Sequence, residues 1–333
     1  MAFLGLGICR AAIVSVLAFQ ICGTAADTAL NRPILGFAAQ ASPPELRAIL
    51  GVPGAAVFSD PLSLPEQTTR LRLAPGQRYA IIEGAHGTPA ALLLNGIQIG
   101  ETVPIPGAVR LPDFVSFSPS GGSAVLISRA SGRLQVIAGL PQAPQLTEDI
   151  DLSLLPEFPG NAAVSDDAGS VLLSSGGTVY LMGPDGSTAV VLSVTRTASI
   201  AFLPGSTIAA IGDPGTGSVY LFQRLAAGNV APLLLASGLP GLGQIAATGD
   251  GQILYVTDTE GPGIWSVNVA CGAVGQLASQ VNASKLDRLR NADTFLISSG
   301  PELPAWIFFR QGQAAGTVFV PAAASRAQHW HLQ

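Results

Sequence analysis

Short apolar runs recur along most of the chain, each preceded by a turn rich in Gly, Pro, Asp or Asn. Six such units are visible: LAPGQRYAIIEG from Leu73, FSPSGGSAVLIS from Phe117, SDDAGSVLLSSG from Ser165, FLPGSTIAAIGD from Phe202, TGDGQILYVTD from Thr248 and LRNADTFLISSG from Leu289. The runs are too short for helices and carry no 3.6-residue period, so they read as buried strands. Their turn anchors, Gly76, Gly121, Gly169, Gly205, Gly251 and Ala292, lie 36 to 48 residues apart. A glycine and a further β-rich run follow most of them, as in GRLQVIAG from Gly132, GTVYLMG from Gly177, GSVYLF from Gly217 and GIWSVNV from Gly263. Outer runs such as AVVLSV and PLLLAS supply a fourth strand. The pattern predicts an all-β propeller of four-stranded antiparallel blades, in which stacking buries both faces of each small sheet.

The tetrapeptide YVTD, Tyr255 to Asp258, resembles the signature of the bacterial YVTN-type β-propeller repeat, with Asp in place of the final Asn, and FSPSG and GSVYLF resemble its other blade landmarks. The resemblance covers about residues 68–320. It implies fold far more than chemistry, because that family includes surface proteins, binding scaffolds and a few lactonase-like enzymes. Six blades are expected, with seven as the alternative. Residues 27–67 hold no clear copy of the repeat, but AAVFS within them could pair with the last blade and close the ring. Phe117, Ile127, Val136, Leu173, Tyr220, Tyr255 and Trp265 are expected to be buried.

The first 26 residues change the picture of where the protein works. A single charge, Arg10, precedes an apolar run from Ala11 to Cys22, and small residues follow. This pattern predicts a signal peptide cut after Ala26, and so a secreted or periplasmic bacterial protein with no membrane attachment after cleavage. An uncleaved membrane anchor is the alternative. The mature chain would retain Cys271 alone, expected to be a small buried hydrophobe. Residues 321–333 are expected to form a flexible tail.

Charged residues make up only 11% of the chain and hydrophobic residues 48%, with a net charge of −5 and Lys285 as the one lysine. No basic stripe exists to track a nucleic-acid backbone, so nucleic acid is not an expected partner.

In a propeller the innermost strands line an axial channel. Counting eight residues back from each anchor gives a mouth ring of Thr68, Asp113, Asn161, Thr197, Gly243 and Ser284, with Gln244 and Lys285 beside the last two. Propeller lactonases that use calcium or zinc resemble one another in a centre of Glu, two Asn and Asp. Only Asp113 and Asn161 match such a set, since a hard cation needs several oxygen ligands. Glu83 could add one if it faced inward; otherwise it is a solvated or turn-bonded carboxylate. Asp213 and Asp258 follow second strands and are expected to accept turn N–H groups. SDDAGSVL from Ser165 resembles a sialidase Asp-box, itself a structural turn. His329 and His331 could share one side of a strand but sit in the tail, and His86 is expected in a loop. No nucleophile elbow accompanies three histidines.

These residues point to a monomeric exported module that recognises a protein, peptide or glycan through one face and the channel mouth, at Thr68, Asp113, Asn161, Thr197, Gln244, Ser284 and Lys285. No metal, cofactor or catalytic residue is expected. A lactonase-like or lyase-like enzyme and a structural cell-surface module are the alternatives.

Overall fold

A computed structural model describes residues 33–84, 87–183, 187–223, 225, 231–279, 281–291, 293–297, 304–312 and 314–322. The expected signal segment, His86, Ala292, His329 and His331 lie outside the described residues. No helix among those described is long and apolar enough to cross a membrane.

The strands form seven antiparallel sheets, each in simple sequential order. Blade 1 has three strands, β1 (Ile34–Ala41), β2 (Pro44–Val52) and β3 (Ala55–Pro61). Blade 2 contains β4 (Arg70–Leu73), β5 (Tyr79–Glu83), β6 (Pro89–Asn95) and β7 (Gln98–Pro104). The remaining blades run β8–β11, β12–β15, β16–β19, β20–β23 and β24–β27. Their innermost strands are β8 (Phe114–Phe117), β12 (Asn161–Val164), β16 (Ser199–Phe202), β20 (Leu242–Ala247) and β24 (Asp287–Arg288), and the last strand is β27 (Ala314–Val320).

The ring therefore has seven blades, not six. The first blade escapes notice in the sequence because its runs, ILGFAAQA and PELRAILGV, are diluted by Ala, Gly and polar residues. Their apolar positions are nevertheless buried: Phe37, Leu46, Ala48 and Ile49 are fully enclosed. AAVFS does not pair with the last blade; it opens β3 and pairs with β2.

Each of seven apolar clusters joins two neighbouring blades. Phe37 and Leu46 meet Leu71 and Leu92 between blades 1 and 2, and Tyr79 and Ile81 meet Ala124 and Leu126 between blades 2 and 3. The sequence continues through the next three interfaces. Tyr255 of YVTD packs between blades 6 and 7, edge-on to Phe308 at 4.8 Å and to Phe295 at 5.7 Å. Leu35 and Ile49 meet Leu289 and Ile307 across the final seam. Ile127, Val136, Leu173 and Tyr255 are buried as expected. Phe117, Tyr220 and Trp265 are only half-buried: Phe117 lines the channel, and the other two lie on third strands, farther out where neighbouring blades diverge.

Side chains reinforce the joints on both sides of blade 1, which no shared strand closes. Gln77 bonds both backbone groups of Phe37, accepting its N–H at 2.6 Å and donating to its carbonyl at 3.0 Å. Arg290 lies over the Phe37 ring at 5.2 Å and donates to the Leu94 carbonyl at 3.2 Å, so one side chain from blade 7 passes blade 1 and reaches blade 2. Gly36 is required at this crossing, since a β-carbon there would come within 2.5 Å of Gln77 Oε1 and 2.7 Å of Leu289.

Candidate functional site

The inner strands surround a central channel of about 950 Å³. The anchor glycine sits at different places within hairpin turns of equal span, so equivalent positions on the inner strands are set by hydrogen-bond register, not by counting back from glycines. Each inner strand ends where a backbone N–H closes the hairpin on the residue five positions later: Ala74, Ser118, Ser165, Leu203, Thr248 and Leu289. Four residues earlier in each of blades 2 to 7 lie Arg70, Phe114, Asn161, Ser199, Gln244 and Lys285. Sequence counting thus found Asn161, Gln244 and Lys285 but missed Phe114 and Ser199, which also line the channel; Arg70 holds the equivalent register position without lining it.

This ring has a repeated structural task. Arg70 donates to the Pro112 carbonyl at 3.0 Å. Asn161 Nδ2 donates to the Ala198 carbonyl at 2.9 Å, Ser199 Oγ accepts from Ile245 N at 2.8 Å, and Gln244 Oε1 accepts from Leu286 N at 3.0 Å. In every case the partner is backbone of the following blade. Closed polar pairs of this kind satisfy buried backbone groups that inter-blade packing would otherwise leave without water.

The other expected mouth residues divide. Thr197 and Gly243 line the channel, as do Asn161, Gln244 and Lys285. Thr68, Asp113 and Ser284 do not. Thr68 folds back onto the Pro65 carbonyl through both its N–H and its hydroxyl, at 3.2 and 2.8 Å. The Asp113 carboxylate accepts Arg129 N at 2.6 Å.

Four charged residues line the channel: Arg72, Lys285, Asp287 and Arg288. Three cations face one carboxylate in a chain whose net charge is −5. Lys285 and Asp287 form an ion pair. Arg288 donates to the Ala247 carbonyl and stands over the Phe295 ring at 5.7 Å. Burial lowers its pKa, opposed by Asp293 and Asp166, but a guanidinium stays charged at any working pH. Apolar walls, including Phe114, Val115 and Ala162, surround these charges and limit their screening.

Among the described residues no three His, Cys, Asp or Glu side chains gather closely enough to hold a metal ion. Asp113 lies off the channel and both ends of the Asn161 amide are engaged, its Oδ1 by Ala162 N at 2.9 Å. Asp113 and Asn161 therefore do not meet in the channel as the ligand pair that the resemblance to propeller lactonases implies.

Five carboxylates outside the channel complete the account. Asp213 and Asp258 serve turns: Asp213 accepts from Gly215 N, Thr195 and Thr216, and Asp258 from Glu260 N and Gly261 N. Glu83 is not solvated but 3% exposed, because the end of β5 is covered by blade 3. Asp167 of the Asp-box-like stretch accepts Ser165 Oγ and Gly169 N within its own turn, and Asp166 bridges blades by accepting Ser120 N at 2.7 Å and Gly205 N at 2.8 Å. Cys271, expected inside, is exposed: it sits in a hairpin turn where Asn268 accepts its N–H at 3.1 Å, so its apolar neighbours mark a turn and not a core strand.

No family model matches the chain, and no curated protein sequence matches it. Solved structures do match its fold. A Lactobacillus plantarum protein is 15% identical with a TM-score of 0.58, the alignment covering 87% of this chain and 96% of that one. A Bacteroides fragilis protein provisionally named a 6-phosphogluconolactonase is 14% identical with a TM-score of 0.56, over 89% and 97% of the two chains. The Pseudomonas aeruginosa periplasmic gluconolactonase is 14% identical with a TM-score of 0.56, over 88% and 97%. At these identities the likeness establishes a shared propeller fold.

Proposed function

We propose that the chain is an exported propeller enzyme that hydrolyses a small acidic lactone inside its central channel. The observation that carries this reading is the excess of positive charge on the channel wall. Arg72, Lys285, Asp287 and Arg288 lie on the wall of a channel of about 950 Å³, three cations to one carboxylate. That volume suits a small molecule and not a folded partner. Two of the fold's structural neighbours are named as lactonases, one of them periplasmic, which supports both the chemistry and the expected export. The YVTN-type resemblance, whose family includes lactonase-like members, points the same way.

The chemistry required is the addition of water to a lactone carbonyl. Asp287 would accept the proton as the water oxygen bonds to the carbonyl carbon, and Lys285 and Arg288 would stabilise the negative oxygen that forms. The ring C–O bond then breaks, and its oxygen takes up the proton from Asp287, leaving an open hydroxy acid. The excess positive charge of the wall favours an anionic substrate or product.

The test is titrimetric assay of the purified mature chain with gluconolactone and its 6-phosphate near neutral pH. Hydrolysis above the buffer rate is expected, and Asp287→Asn should lower it by about 100-fold or more, as loss of a general base does. Absence of turnover with every lactone tried would overturn the enzymatic reading. The second reading is then recognition of a protein, peptide or glycan at the mouth, favoured by the exposed Thr197 and Gln244 there and by the ion pairing of Asp287.

A further inference from the structure

Glu83 has no part in the channel and none in a turn. It is the last residue of β5 and lies directly across from Arg70, the first residue of β4, so both side chains face blade 3. Glu83 is 3% exposed, and its Oε2 has no hydrogen-bond partner among the described residues. Arg70 Nη1 stands 3.7 Å from that oxygen while donating to the Pro112 carbonyl at 3.0 Å. One guanidinium thus lies between two acceptors, one on its own blade and one on the next.

The segment that Arg70 holds is itself strained. Leu111 adopts a positive φ of 47°, and its N–H is tied to the Gly87 carbonyl at 2.9 Å. A non-glycine residue keeps such a backbone only while its surroundings impose it. The next residue is Pro112, which has no N–H to offer Glu83.

We propose that Glu83 and Arg70 form a proton-operated latch between blades 2 and 3. With Glu83 neutral, Arg70 rests on the Pro112 carbonyl and the segment from Ile105 to Pro112 is fastened to blade 2. Ionised Glu83 draws the guanidinium onto Oε2, the Pro112 carbonyl loses its donor, and the strained segment loosens. The charged groups facing Glu83 are Arg70 and Arg72 of β4 and Asp113 before β8. Burial raises the Glu83 pKa, Arg70 and Arg72 lower it and Asp113 raises it, leaving it above the ordinary carboxylate value. The latch therefore opens at a higher pH than a surface carboxylate would titrate. This device is independent of the lactonase reading.

Hydrogen exchange of the whole chain, followed by mass spectrometry at pH 5 and pH 8 and corrected for intrinsic exchange rates, tests it. Amides in residues 105–111 of the parent should exchange about tenfold faster at pH 8, the factor expected on losing one hydrogen bond from a charged donor. Glu83→Gln, which cannot ionise, should exchange slowly at both pH values, and Arg70→Met quickly at both. A parent with no pH response would overturn the latch, as would a Glu83→Gln variant that keeps the parent's response.

Discussion

Replacing Arg290 by Ala removes a side chain that ties blade 7 past blade 1 to blade 2. The lost interactions can be summed from the geometry. A hydrogen bond from a charged donor to a buried carbonyl, here Nη2 to Leu94 O at 3.2 Å, contributes about 1.5–3 kcal/mol. The guanidinium over the Phe37 ring at 5.2 Å adds about 0.5–2 kcal/mol. Arg290 is half-buried, so water recovers part of this when the group is removed, and a net loss of about 2–4 kcal/mol follows. For a chain of this size each kcal/mol moves the melting temperature by about 2 °C, giving a fall of about 4–8 °C by differential scanning calorimetry. Arg290→Lys keeps the charge but not the planar fork, and should fall between parent and Ala variant. The effect should also couple to Gln77→Ala, since both side chains converge on Phe37. An Ala variant melting within about 1 °C of the parent would refute the role of Arg290 and leave the apolar cluster of Leu35, Ile49, Leu289 and Ile307 as sufficient closure.

Gly36→Ala would bring a β-carbon against Gln77 Oε1 and Leu289, and because both neighbours are packed the variant should lose about 1–3 kcal/mol in chemical denaturation, with a smaller loss expected if Gln77 is first truncated to Ala, since the Leu289 contact remains. Asp213→Asn should cost about 1.5–3 kcal/mol near neutral pH, because the ionised carboxylate serves Thr195, Gly215 and Thr216. Burial pushes Asp213 up, but its hydrogen bonds outweigh this and hold its folded pKa below the ordinary value. Its stabilisation is thus present above the unfolded carboxylate pKa of about 3.9 and is lost as pH falls through the lower folded value. Melting curves of parent and variant should therefore converge under strongly acid conditions, and a gap constant with pH would contradict the assignment.

The strand repeat was legible in sequence because a blade is a local object. Turns such as PSGG and DDAG, and runs such as AVLIS and ILYVTD, declare their strands within a dozen residues, and alternate burial follows from the pairing of neighbours in the chain. Tyr255 was correctly expected in the core for that reason, as were Asp213 and Asp258 in their turns. The local signal failed where composition was diluted, in blade 1, where ILGFAAQA carries few of the β-branched and aromatic residues that mark strands. It failed again at Cys271, where a hairpin turn is built from residues as apolar as a core strand.

Tertiary structure decided what depends on one blade meeting another. The number of blades is a property of ring closure, fixed by contacts such as Arg290 with Leu94, 196 residues apart in sequence. The tasks of Asn161 and Gln244 likewise appear only when Ala198 and Leu286 of the next blade arrive within hydrogen-bond reach. Counting from glycines could not supply that register, since the glycine sits at different places within hairpin turns that all close on the fifth residue. Glu83 shows the same limit: alone it reads as a surface carboxylate, and only the blade packed over β5 removes it from water. Sequence determines strands through covalent neighbours. Closure, burial of charge and the lining of the channel arise from distant segments brought together, which local patterns do not encode.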